Sequence, residues 1–235
     1  FGMSDTDLFE YRKIGESDTN GIKKVKVRAA VMNREIAHEY YELLDNLKLR
    51  PIALDIHPNV ITKVFNGQTV INGNKPENYI LLDIGYSGTM VYLFSQGSLN
   101  TFRFVSFGGK AVDKLIAGVF SLPEEKAEEK KIEVLSEYSD SVDIETVSAV
   151  KPLYGELLEE LRKVMQFFLN RSGTKDLNQI YLMGGGASLV GLSDYLSEGL
   201  GFQVDKFKTL SSIQLEDNKQ EIGTLVNAAG AIIRL

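Results

Sequence analysis

Two runs in this chain, Tyr79-Ile80-Leu81-Leu82 and Ile180-Tyr181-Leu182-Met183, are apolar at every position rather than at alternate ones. A strand with one wet face alternates apolar and polar residues, whereas a continuous apolar run is covered on both faces. Each run therefore demands a layer above and a layer below. Each also leads into glycines. The first ends in Asp83 and continues as Ile84-Gly85-Tyr86-Ser87-Gly88-Thr89, and the second continues as Gly184-Gly185-Gly186-Ala187-Ser188-Leu189.

The segments around these runs supply the layers. Residues 8–14 read as a strand, Gly15 to Gly21 as polar and turn-rich, and Lys23 to Met32 as a strand that enters half-exposed and ends buried. Asn33 is placed to cap a helix running to about Leu47, with Ile36, Tyr40, Leu43, Leu44 and Leu47 on one face. Pro51 to Ile56 reads as a further strand, and His57-Pro58-Asn59 opens a short helix to Phe65. Residues 66–78 are turn chemistry and mark a domain boundary. Tyr79–Asp83, Thr89–Phe94 and Leu99–Phe107 read as three strands, the last two joined by a tight hairpin at Ser95-Gln96-Gly97-Ser98. Helices are expected from Gly108-Gly109 to about Phe120, over Leu122 to Leu135 and from about Val147 to Asn170, with an acidic loop over 136–147. A helix around Leu192, Tyr195 and Leu196, a strand over Phe202 to Phe207 and a small-residue helix over Ile222 to Leu235 complete the chain. Three meandering strands followed by alternating helices and strands make an α/β fold.

Composition removes several classes of function. There is no cysteine, which excludes disulfides, thiolate metal sites and cysteine nucleophiles and fits a cytoplasmic protein. Net charge is −6 with no basic block, so no nucleic-acid partner is expected. No apolar stretch approaches the roughly 20 residues of a membrane-spanning helix, and no signal-peptide pattern is present. The two histidines, His38 and His57, read as solvated or structural, and Glu124 to Lys131 reads as a solvated, self-paired helix face.

The glycine turns remain as candidates for chemistry. In the first, Gly85 and Gly88 let backbone amides approach an anion, and Ser87 and Thr89 add hydroxyl donors. Asp83, at a buried strand's end, suits a hydrated Mg²⁺, which takes carboxylate, water and phosphate oxygens. The plainer alternative is a glycine-rich hairpin with a turn-capping acid. In the second, Gly184, Gly185 and Gly186 leave a strand for a helix, exposing amides and leaving room for a flat purine. There the plainer alternative is close packing of helix on strand. Neither turn is a Walker A loop or a dinucleotide fingerprint.

The two turns, in this order and about a hundred residues apart, resemble the second phosphate motif and the adenosine motif of the actin superfamily. The stretches LLDIGYSGTMVYLFSQGSLNTFRFVSFGGKAVDKLIA and IYLMGGGASLVGLSDYLSEGLGFQV resemble the branch that contains the type IV pilus assembly protein PilM and the cell-division protein FtsA. EELRKVMQFFLNRSGTKDLNQI and VRAAVMNREIAHEYYELLDNLKLRPIALDIHPNVITKVF resemble PilM as well. The likeness covers nearly the whole chain apart from residues 136–147.

The resemblance implies an actin-like (ribonuclease-H-like) ATPase fold, shortened at its N-terminus. Residues 1–75 would be a remnant of the first half: the tail of the inserted subdomain (IC) to about residue 20, and the end of IA over 22–75. Residues 76–235 would be the second half, with IIA over 76–120 and 150–225 and a small helical IIB at about 121–149. Gly85, Ser87, Gly88 and Thr89 would face the β- and γ-phosphates of ATP; Gly184, Gly185 and Gly186 would line adenine and ribose; Glu128 and Lys131 would flank the base; and Asp83 would hold Mg²⁺ through water. The family's first phosphate loop, an Asp-x-Gly turn, has no counterpart in the sequence and would precede Phe1, leaving at most slow ATP hydrolysis and weak Mg-ATP binding. The implied role is a cytoplasmic scaffold at the inner face of the cytoplasmic membrane. It would bind the N-terminal tail of a PilN-like membrane protein and contact the pilus assembly ATPases. An FtsA-like protein and a small-molecule kinase of the same fold are the alternatives; no substrate-facing carboxylate favours the kinase, and no C-terminal targeting helix favours FtsA.

Overall fold

The computed structural model describes residues 6–19, 21–172, 177, 179–214 and 222–233. The chain divides into two compact units, Phe1–Asp55 and Ile56–Leu235.

The first unit is a hairpin and a helix. Strand β1 (Asp7–Thr19) pairs antiparallel with β2 (Ile22–Asn33), from Asp7 opposite Asn33 to Thr19 opposite Ile22, with a bulge between Lys13 and Gly15. The strand ladder thus runs through most of the stretch expected to be turn. Only its end turns, where Gly21 has φ +79° and its amide donates to the Asp18 carboxylate at 2.9 Å. Asn33 caps α1 (Arg34–Asn46), accepting from the Glu35 amide at 2.7 Å, as its position in the sequence predicts. Residues 51–56 form no strand, against expectation. The run is apolar enough, but Pro51 has no N–H to give, and no strand among the described residues pairs with it.

The second unit is built on a five-stranded sheet in the order β5-β4-β3-β6-β7. Its members are β3 (Tyr79–Ile84), β4 (Thr89–Ser95), β5 (Ser98–Val105), β6 (Gln179–Met183) and β7 (Gln203–Lys206). The first three meander antiparallel, while β6 and β7 add parallel to β3. The two wholly apolar runs are thus the adjacent central strands β3 and β6, Tyr79 opposite Gln179 through Asp83 opposite Met183. Every residue of β3 is buried.

Two cores explain why. Ile80, Leu82 and Ile84 point into a cluster with α3 (Gly109–Phe120), α4 (Glu124–Leu135), α5 (Ile144–Ser172) and α6 (Leu192–Leu200). Tyr79 and Leu81 point the other way, to a cluster with α2 (His57–Val64) and α7 (Ile222–Ile232). Each fully buried aliphatic or aromatic side chain contributes about 1.5–3 kcal/mol. Helix α2 belongs to this second cluster through Ile61 and Val64, so the expected boundary at 66–78 falls inside the second unit. At the β4–β5 hairpin, Gln96 (φ +51°) and Gly97 (φ +69°) both adopt left-handed backbone, the turn that matches the twist of paired strands.

Candidate functional site

The first glycine turn is clamped to the start of α3. Gly85 N–H donates to the Gly88 carbonyl at 3.0 Å, and the α3 amides of Gly109 and Lys110 donate to the Gly85 and Tyr86 carbonyls at 2.9 Å each. Gly108 sits so close beneath the turn that a Cβ there would lie 2.5 Å from the Tyr86 oxygen, 2.6 Å from the Gly88 nitrogen and 2.7 Å from the Gly85 oxygen. A Cβ at Gly88 would lie 2.2 Å from the Phe104 ring. Thr89 is wholly buried, and its hydroxyl donates to the Phe107 carbonyl at 2.7 Å. Ser87 is exposed.

The second turn leaves β6 through Gly184, whose φ of +82° favours glycine and whose added Cβ would lie 2.6 Å from Asp83 Oδ1. Gly185–Ser188 is one 3₁₀ turn, and α6 begins only at Leu192, after Gly191. The three glycines therefore precede a 3₁₀ turn rather than open the α-helix, which the sequence had suggested. Gly186 lies on Ile84, at 2.2 Å from its Cγ2 for an added Cβ, while around Gly185 nothing stands within 4 Å.

These turns meet at one cavity of about 410 Å³ within the second unit. Gly85, Glu128, Lys131, Gly185 and Gly186 line it, although the two turns lie on different strands. Asp83, Ser87, Gly88, Thr89 and Gly184 are not among its lining residues. Glu128 and Lys131 come from successive turns of α4 and line the cavity together with the glycines. The Lys131 ammonium is 2.8 Å from the Asp113 carboxylate of α3, and both side chains are largely buried. That pair neutralises the ammonium in place and ties α4 to α3.

Asp83 is the penultimate residue of β3, and its Oδ1 would lie 2.6 Å from a Cβ added at Gly184. It is 8% exposed, and its Oδ2 accepts from Asn227 Nδ2 of α7 at 2.8 Å. Burial pushes its carboxyl above the ordinary carboxylate range, against a smaller downward pull from the Asn227 bond and from His57. Tyr92, whose hydroxyl is buried without a partner among the described residues, has its phenol pushed up by burial and by the Asp83 charge. Asn227 Oδ1 is likewise buried and without a partner among the described residues, a state that costs about 1–3 kcal/mol.

Tyr86, Gly109, Thr224, Asp113 and Asn227 were not singled out from sequence. For Asn227 there was a signal: it is the one amide in the apolar and small-residue run Ile222–Ile232. For Asp113 there was none, because an acid on a helix reads as solvated until the helix is placed.

The sheet order, with three antiparallel strands and two parallel ones beside them, and two glycine turns meeting above the central strands, define an actin-like ATPase fold. Solved structures with that fold superpose on the chain. The PilM–PilN type IV pilus biogenesis complex matches at TM-score 0.74 and 23% identity over 98% of this chain and 67% of that one. The ethanolamine utilization protein EutJ from Carboxydothermus hydrogenoformans matches at 0.59 and 20% over 83% and 59%. MreB5 of Spiroplasma citri, bound to AMPPNP, matches at 0.56 and 13% over 84% and 63%. The chain spans about two thirds or less of the length of these relatives. No curated protein sequence matches it significantly. The family model described as type IV pilus assembly protein PilM matches residues 1–231, and the chain belongs to that family.

Proposed function

We propose that this protein is an actin-like, ATP-binding scaffold of the type IV pilus assembly platform. The observation that carries the nucleotide reading is the convergence of the two glycine turns with Glu128 and Lys131 on one cavity. Its volume of about 410 Å³ lies in the range of roughly 300–1,000 Å³ typical of small-molecule sites. The donor set fits the ligand. Gly185 and Gly186 offer a wall without side chains for a flat base, Glu128 and Lys131 offer polar groups for base and ribose, and Gly85 brings backbone to the phosphate end. Ser87, Gly88, Thr89 and Gly184 lie outside the cavity lining; Ser87 is exposed, and Gly88, Thr89 and Gly184 are packed within the turns. Asp83 supplies a hard oxygen donor that suits Mg²⁺ held through water. MreB5 of Spiroplasma citri, a relative in fold, was crystallised with AMPPNP and with ADP.

The partner reading rests on the family and on the matching PilM–PilN complex. The partner would be the N-terminal tail of a PilN-like membrane protein, with the pilus assembly ATPases as further contacts. No helix among the described residues is long and apolar enough to cross a membrane, so attachment to the inner membrane's cytoplasmic face would run through that partner. Calorimetric titration of ATP into the full-length protein, with and without Mg²⁺, tests the site. Saturable binding that Gly185→Leu abolishes supports it, and equal affinity in that variant would leave the glycines to packing alone. Titration of a PilN-like tail peptide tests the partner independently.

A further inference from the structure

Lys131 is the one cation among the described residues that line the cavity, and its setting calls for an explanation. The side chain comes from α4 and is 13% exposed. Its ammonium rests against the first turn of α3, where a Cβ added at Gly109 would lie 3.3 Å from Nζ. The start of a helix favours an anion, not a cation. What offsets the charge is Asp113, one turn further along α3, 8% exposed and 2.8 Å away.

The contact has the length of an ion pair, yet Asp113 Oδ1 accepts no hydrogen bond among the described residues. The carboxylate therefore fixes the ammonium and cancels its charge without using up the three N–H donors that a lysine carries. Among the described residues the ammonium has no partner besides Asp113. Donors in a cavity wall that lack a protein acceptor are left for what occupies the cavity. Lys131 and Asp113 are neutral as a pair, and Glu128 in the same lining adds a negative charge. A wall of that balance does not draw in phosphates. It suits the neutral ring nitrogens and hydroxyl oxygens of a nucleoside.

We infer that Asp113 is a positioning residue of the nucleotide site: through its pair with Lys131 it sets the lysine to recognise the nucleoside part of the ligand rather than its phosphates. The inference rests on the nucleotide reading of the cavity. With Asp113 uncharged, the ammonium is a bare cation at the start of a helix, and it turns to the ligand's phosphates or to solvent. A purely structural pair would change stability and leave the preference between ligands untouched.

The experiment is calorimetry of adenosine and of ADP, each in excess Mg²⁺, against the full-length protein. It compares wild type, Lys131→Met, Asp113→Asn and the double variant Asp113→Leu with Lys131→Met, and a thermal melt of each shows that it is folded. The apolar double variant covers the case in which Asp113→Asn fails to fold, since replacing both partners of a buried pair commonly keeps a fold that removing one does not. Lys131→Met should weaken adenosine and ADP by the same factor, about tenfold or more, as for loss of one charged hydrogen bond. Asp113→Asn should weaken adenosine as much although Lys131 is still present, and should weaken ADP less, because the freed ammonium reaches phosphate. The apolar double variant should bind both ligands as Lys131→Met does. Unchanged adenosine affinity in a folded Asp113→Asn, or in the folded double variant, makes the ion pair structural and overturns the inference. So does a loss in Lys131→Met that is greater for ADP than for adenosine by about tenfold, and so does a wild type that binds ADP but not adenosine at millimolar concentration. Each of these leaves the nucleotide site standing. A wild type that binds neither ligand overturns the nucleotide reading and the inference with it.

Discussion

The two glycine turns look alike in sequence and differ in what their glycines do. Around the turn after β3, the constraint is close approach: a Cβ at Gly108 would meet the turn's backbone, and one at Gly88 would meet the Phe104 ring and the Val105 carbonyl. In the turn after β6, Gly184 and Gly186 are held by conformation and by Ile84, but Gly185 is exposed and meets nothing within 4 Å. The comparison separates glycines that the fold requires from the one that only a ligand would require. A glycine motif is a mixture of the two, and sequence spacing alone does not sort them.

The largest effect is expected at Gly108. Its extended backbone (φ −169°) suits any residue, so strain is not the issue. The added methyl would meet two carbonyl oxygens and an amide nitrogen, none of which swings aside as a side-chain tip would. Gly108→Ala should destabilise the second unit by about 3 kcal/mol and lower its Tm by about 6–12 °C. A melting curve that matches wild type would show that the turn has slack, and would erase the contrast with Gly185.

The opposite signature is expected at Gly185. Gly185→Leu should shift Tm by no more than about 1–2 °C, as for an open surface position, while ATP affinity falls by about a hundredfold or more, about 2.7 kcal/mol. Thermal melts and calorimetry on the same sample check both halves. A variant that loses stability along with affinity would make Gly185 a packing residue like its neighbours.

Much of this architecture was legible beforehand, for identifiable reasons. β3 and β6 announced themselves because strands covered on both faces are apolar throughout, and the hairpin at Gln96-Gly97 because its backbone demands such residues. Asn33 was legible as a cap because capping is local chemistry. Residues 51–56 misled, because strand character depends on a partner strand that no local pattern reveals. Within the site, the lining glycines and the Glu128–Lys131 wall could be anticipated from resemblance. The Lys131–Asp113 pair and the Asp83–Asn227 bond could not, since each joins elements whose proximity exists only after folding.

A smaller effect concerns Thr89, which the resemblance assigns to the phosphates and the structure seats under the turn. Its hydroxyl donates to the Phe107 carbonyl in a fully buried setting. Thr89→Val keeps the shape and removes the donor, leaving that carbonyl unpaired, a loss of about 1–2 kcal/mol. Affinity for ATP should change less than about twofold if the hydroxyl serves only the turn, since even about 1.4 kcal/mol in binding would appear as a factor of ten. A tenfold loss in calorimetry would return Thr89 to the phosphate site.

The last and smallest change replaces one oxygen of Asp83 with an amide nitrogen. Asp83→Asn preserves volume, and the remaining carbonyl oxygen still accepts from Asn227 Nδ2. What changes is the charge. Burial raises the folded carboxyl above its ordinary value of 3.8, so between that value and the folded one the native protein holds a proton that the unfolded chain has released. Stability linked to Asp83 is therefore fully present below the unfolded value and is lost as pH rises through the folded one. Asp83→Asn, which cannot ionise, escapes that loss. Without ligand, the variant should melt above wild type at pH 7, and the two curves should converge as pH falls toward 3.8. Wild type melting higher at neutral pH would mean that the Asn227 bond and the His57 charge outweigh desolvation, so that the carboxylate is stabilised rather than strained where it sits. If the variant does melt higher, the charge that destabilises the ligand-free fold is the one proposed to meet Mg²⁺, and on that proposal adding Mg-ADP should reverse the order of the two curves.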